Sequence, residues 1–259
     1  MRNLFVILRQ EIFSLLISPA TFIAGFYFLL VMGLMFWFYL GSYHLSTGRM
    51  PPIFELAFGL FIMTPTIIPF LTMRSLAEER RTGTLETLLA TPTPTYAIVV
   101  GKWGAAYLYY LSLCGLALGF PAVTHYFFED KVGELRFMDL TFLFGGGLYL
   151  MVSGAAFVAI GIFASSLTRS QLVAGMLTFT LLLIQLSLIY YFHENQPAAP
   201  TSMLGETIHQ SLGAFFRGYD HLREFSRGII DTRPIVYYLT SAALFLGFAT
   251  LVTEHRSGE

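Results

Sequence analysis

Three groupings of side chains could support chemistry: six histidines, one cysteine and a dense block of charge. His44, His125, His193, His209, His221 and His255 all fall in loops, interfaces or the tail of the hydropathy pattern, so no nucleophile-and-base or metal-ligand set stands at matching depth in an apolar run. HExxH is absent. So is GxxxxGK[ST], and the chain by itself cannot cradle and hydrolyse ATP. Cys114, inside an apolar run, can form neither an intrachain disulfide nor a CxxC site, and is expected to pack. The charge block opens residues 74–95, RSLAEERRTGTLETLLATPTPT. Arg74, Glu78, Glu79, Arg80 and Arg81 put five charges into eight positions, directly after an apolar run that ends near Met73, so a membrane span must stop there. A short helix follows. Gly83 or Thr84 can cap it, Glu86 suits the positive end of its dipole, and Leu85, Leu88 and Leu89 share one face before Pro92 and Pro94 end it. So short a helix is unstable alone in water, and its leucines need either the membrane surface or a partner protein. The plainer alternative is a solvated loop whose charges only mark the inner side of the membrane.

The elements that position this block are apolar and long. The chain has 259 residues, 55% hydrophobic and only 12% charged, where a soluble domain has roughly 25% charged; its mean hydropathy is +0.65. This is the composition of an all-α integral membrane protein, one transmembrane domain over 1–259. At about 20 residues per span there is room for six, expected at 20–40, 53–73, 96–121, 140–164, 172–191 and 234–252. Residues 1–19 suit an interfacial helix, with Leu4, Ile7, Leu8, Leu15 and Leu16 around Arg9, Gln10 and Glu11. No cleavable signal peptide is read there. Net charge of −1 points to no nucleic-acid partner.

Within the spans, Pro65 and Pro69 should kink the second helix towards protein or a water-lined path. Gly145, Gly146, Gly147, Gly154 and Gly161 should let the fourth pack closely, a use that outweighs a phosphate loop for the 145–147 run. Tyr107, Tyr109 and Tyr110 could line a path, with packing the commoner use. Glu55 and Lys102 stand near opposite ends of their spans, Lys102 with its stem snorkelling to the inner interface, and Glu55 as an interfacial carboxylate. This is unlike the mid-membrane pairs of a secondary transporter.

Residues 192–233 are the longest polar stretch, with Leu204, Ile208, Leu212, Phe215, Phe216, Tyr219, Leu222, Phe225 and Ile229 recurring at helical steps. We expect an amphipathic hairpin of re-entrant or surface helices between the fifth and sixth spans, since Arg217, Asp220, Arg223, Glu224 and Arg227 are too crowded for a transmembrane run. Phe215, Phe216, Tyr219, Leu222 and Phe225 are then candidates for an outer gate or a static lid. Lys and Arg counts favour both termini inside: Arg2, Arg9, Arg74, Arg80, Arg81, Lys102, Arg169 and Arg256 against Arg49, Lys131 and Arg136 in the short outer loops.

The run E-E-R-R-T-G-T-L-E-T-L-L-A-T-P from Glu78 to Pro92, followed by Gly101 and Lys102, resembles the signature of type-2 ABC exporter permeases. The resemblance implies that 74–95 carries a coupling helix seated in a groove of a separate ATPase. The docking residues would be Glu78, Glu79, Arg80, Arg81, Gly83, Thr84, Leu85, Glu86, Leu88 and Leu89, with Glu79 and Arg80 adding ion pairs. It further implies two ABC ATPase subunits, which would hold the ATP and magnesium. No cofactor and no catalysis would reside in this chain. A second permease chain, identical or paralogous, would complete the path in a bacterial cytoplasmic membrane, among its lipids. FSRGIIDTR, from Phe225 to Arg233, resembles the gliding-motility branch of these permeases. The alternative function is therefore a membrane anchor of a motility or cell-surface machine, driven by a partner ATPase without solute transport.

Overall fold

A computed structural model describes residues 2–43, 52–84, 94–127, 140–194 and 218–255, and all regular structure among them is helical. The helices are α1 (Arg2–Ile17), α2 (Pro19–Tyr43), α3 (Pro52–Thr72), α4 (Ala77–Thr82), α5 (Thr95–Phe127), α6 (Leu140–Leu167), α7 (Gln171–Glu194), α8 (Gly218–Ser226) and α9 (Thr232–His255). Six of these, α2, α3, α5, α6, α7 and α9, are long and apolar enough to cross a membrane. The chain is thus the all-α, multi-pass membrane protein that its composition implies.

Burial ranks the spans. The most apolar stretches of α6 and α3 are 78% and 67% buried, against 17% in α9 and 22% in α7, so α3 and α6 form the centre. α2, α5, α7 and α9 pack round that pair with much of their apolar surface facing outwards. Glycine makes the centre tight. A β-carbon on Gly161 would overlap Thr72 of α3, and one on Gly154 would overlap the ring of Tyr110 from α5. Without a hydrophobic driving force between helices in lipid, such close approach is where packing energy is gained. Tyr110 completes the contact with a 3.0 Å hydroxyl bond to Thr64. Tyr107 and Tyr109 donate to the carbonyls of Met151 and Thr21, so all three tyrosine hydroxyls bond neighbouring helices.

Pro65 and Pro69 lie inside α3 and are both buried, turned to protein. Hydroxyls reinforce this stretch, Thr64 donating to the Leu60 carbonyl and Thr66 to that of Met63. Pro19 opens α2 at the position where a missing N–H costs nothing, and the Ser18 carbonyl accepts from Thr21 and Phe22.

Two expectations need correction. Pro121 does not end the third long helix: α5 runs on to Phe127. Breaking a helix at membrane depth would free more backbone groups than the one bond the proline removes. Lys102 does not snorkel, being 3% exposed, because carboxylates come to it from two other helices. Of the polar stretch 192–233, residues 192–194 end α7, 195–217 lie outside the described residues, including Phe215 and Phe216, and the rest is α8, the turn after it and the start of α9.

Candidate functional site

α4 begins from a strong local signal. Its six residues, AEERRT, place Glu78 and Glu79 in the first turn and Arg80 and Arg81 in the last, as the helix dipole favours. Gly83 then stops it with φ at 73°, a left-handed C-cap that other residues rarely adopt. Six residues hold no helix unaided, and the rest of the protein supplies the support. The Ser165 hydroxyl, near the end of α6, accepts from the backbone N–H groups of Leu76 and Ala77, both at 3.1 Å, and so caps α4 from another helix.

The charges of α4 divide by direction. Arg80 turns inward, its guanidinium donating to the carbonyls of Ser166 and Val252 at the ends of α6 and α9. Glu79 also turns inward, 2.7 Å from the Lys102 ammonium on α5. That ammonium meets Glu11 of α1 as well. Glu78 pairs with Arg74 at 2.8 Å, and Arg74 donates to the Ser18 hydroxyl at the joint of α1 and α2. Arg81 is exposed, as are Gly83 and Thr84, whose hydroxyl bonds that of Thr82. Leu85, Glu86, Leu88 and Leu89 lie outside the described residues.

Lys102 is the electrostatic centre. Removing one partner of a buried pair costs about 3–5 kcal/mol, far more than the ~0–1 kcal/mol of an exposed pair such as Arg74 and Glu78. α4 stands beyond the end of the α3 span. Within it, hydrogen bonding from Arg74 holds Glu78 below the usual carboxylate range. Burial pushes Glu79 above that range, against the pull of Lys102 and with help from the charges of Glu11 and Glu78. A polar cavity of about 380 Å³ opens here, lined among others by Gln10, Ser14, Glu78 and Thr82. No group of three or more metal-ligating side chains occurs among the described residues. The arrangement suits force transmission: one short charged helix bonded to α1 and α5 through Lys102, and to α6 and α9 through Ser165 and Arg80.

The opposite end of the bundle holds α8. Leu222 and Phe225 are wholly buried, and the helix packs on α6, α7 and α3. Phe225 meets Tyr149 edge-on, while Tyr149 shares a 3.0 Å hydroxyl bond with Tyr238 of α9. Tyr219 stands edge-on to Phe54 and Phe58 of α3, 5.9 and 5.0 Å between centroids. It also borders an apolar groove of about 570 Å³ between α3 and α7. Of the residues expected at an outer gate, then, Leu222 and Phe225 are core and Tyr219 faces a groove.

Sequence reasoning singled out the charge block but missed its partners. Glu11 lay hidden in an amphipathic pattern and Ser165 just past the expected end of the fourth span. A lysine one turn inside an apolar run was the available signal, since a cation at that depth requires carboxylates from elsewhere in the fold.

No match is found among curated proteins. The family described as ABC-2 family transporter protein matches residues 5–252, nearly the whole chain. The six spans and the inward-bonded charged helix between the second and third fit a membrane subunit of that kind, and the chain belongs to the ABC-2 transporter family as a permease component.

Proposed function

We propose that this chain is the permease half of an ATP-driven exporter in a bacterial cytoplasmic membrane, both termini inside. It works with a second permease chain, identical or paralogous, and with two ABC ATPase subunits that bring the ATP and magnesium. The observation that carries this reading is the bonding of α4. A charged helix six residues long, continuous with the docking sequence, is joined to four other helices through Lys102, Ser165 and Arg80. Such a helix would pass a push from a docked ATPase directly to the spans. Glu79 and Arg80 anchor it inward, while Arg81 and Thr84 are on its exposed side, the side left for the partner. Two copies would form the path between them from the outward apolar faces of the peripheral spans, which a single chain leaves uncovered.

The test is reconstitution of the permease with its ATPase in lipid vesicles and a panel of candidate substrates. ATP-dependent movement of one of them across the bilayer is the expected result. ATP hydrolysis that responds to the permease while nothing crosses would favour the motility or surface-machine alternative. The resemblance to the gliding-motility branch at Phe225–Arg233 keeps that alternative open. In the fold this stretch also builds a turn, with Gly228 at φ 83° and Asp231 accepting from the Arg233 N–H ahead of α9.

A further inference from the structure

We propose that Lys102 is the positioning residue for coupling, its one buried ammonium shared by Glu79 of α4 and Glu11 of α1 as a two-position latch. The proposal rests on the reading of α4 as part of an ATPase-docking segment.

The argument is one of charge count and reach. Lys102 is 3% exposed, so with both carboxylates in place its ammonium is held almost wholly by them. Glu11 and Glu79 are less covered than Lys102, with side chains 24% and 21% exposed. If α4 is drawn away, Lys102 keeps Glu11; if α1 shifts, it keeps Glu79. Losing both leaves an uncompensated charge in a low-dielectric site. Each carboxylate can therefore release singly but not both together, which makes the movements of α1 and α4 depend on each other. Gly101 and Gly104 seat α1 closely on α5 beside Lys102. A β-carbon at those positions would lie 2.9 Å from Ile7 Cγ2 and 3.0 Å from Leu8 Cδ1. Other links of α4 run within one segment, as between Arg74 and Glu78, or reach uncharged groups, as from Arg80 to the Val252 carbonyl and from the Leu76 N–H to the Ser165 hydroxyl. Lys102 is thus the point where the docking segment, the N-terminal helix and the third span meet in one charge.

Two measurements test it. In the first, thermal unfolding of the purified permease is followed for Glu11→Gln, Glu79→Gln and the double variant. The double variant is expected to lose more than the two single losses added together, and K102M/E11Q/E79Q to recover most of that loss by removing the buried charge. Additive losses would overturn the sharing. In the second, the triple variant is purified with its ATPase in nanodiscs. It is expected to assemble as wild type does, yet to lose about tenfold of the permease-dependent change in ATPase rate, the weight of one interaction of ~1.4 kcal/mol. The exposed Arg9→Gln should behave as wild type. Full coupling in the triple variant would overturn the positioning role and leave the proposed function standing. A wild-type permease that binds no ATPase would bring down the docking reading, and with it the latch as a coupling device, even with the stability results intact.

Discussion

The carbonyl oxygen of Phe225 occupies the space that a β-carbon on Gly145 would need, so α8 lies in backbone contact with α6. Gly145→Ala must push the two helices apart, while Gly147→Ala, two residues on, enters open space. The first is expected to destabilise by about 1–3 kcal/mol, as overpacking of a tight core does, and the second to be near neutral. Thermal unfolding in detergent compares them directly. Identical midpoints for Gly145→Ala and wild type would show that α8 is loosely held.

Arg80 and Arg81 are neighbours with opposite directions. Arg80→Gln removes charged hydrogen bonds to the Ser166 and Val252 carbonyls, each worth about 1.5–3 kcal/mol. It should lower the stability of the permease by itself. Arg81→Gln, on the exposed side, should leave stability unchanged and weaken binding of the ATPase. Melting curves of the permease alone, beside pull-down of the ATPase, separate the two. A reversed pattern would mean that the inner and outer roles have been assigned the wrong way round.

Leu88 lies outside the described residues, and its role is an expectation from its sequence spacing with Leu85 and Leu89. Leu88→Asp should place a charge in the ATPase groove at a cost of several kcal/mol and dissociate or uncouple the complex. Co-purification of this variant at full coupled activity would refute a buried stripe.

Glu224 and Arg227 are exposed at the α8 end of the bundle, opposite the end that carries α4. With the termini inside, as proposed from the count of Lys and Arg, this end would face out of the cell. Cysteines placed singly at these two positions in a Cys114→Ala background should react with a membrane-impermeant thiol reagent added from outside. Cys114 itself is 4% exposed, and its removal takes away the single native thiol. Labelling from the cytoplasmic side alone would invert the topology.

Much of this protein is determined by local sequence. Length and apolarity of the runs decide that there are six candidate spans, because a helix is the structure that satisfies its own backbone in lipid. The position of Arg74 to Arg81 marks where the second apolar run ends, and Gly83 where α4 stops, since both depend on charge and backbone geometry within a few residues. What the tertiary structure decides is which way the side chains face. Nothing in the spacing of Glu79 and Arg80 from Glu78 and Arg81 says that the first pair turns inward. That outcome depends on Lys102, Ser166 and Val252, tens of residues away or more, arriving at the same end of the bundle. Lys102 itself reads as a snorkelling residue until Glu11 and Glu79 are seen beside it. Phe225 and Leu222 have the period of a surface helix, yet are core because Gly145 leaves room for a backbone to enter. Periodicity reports that a helix has an apolar face; what covers that face is settled by packing between distant segments.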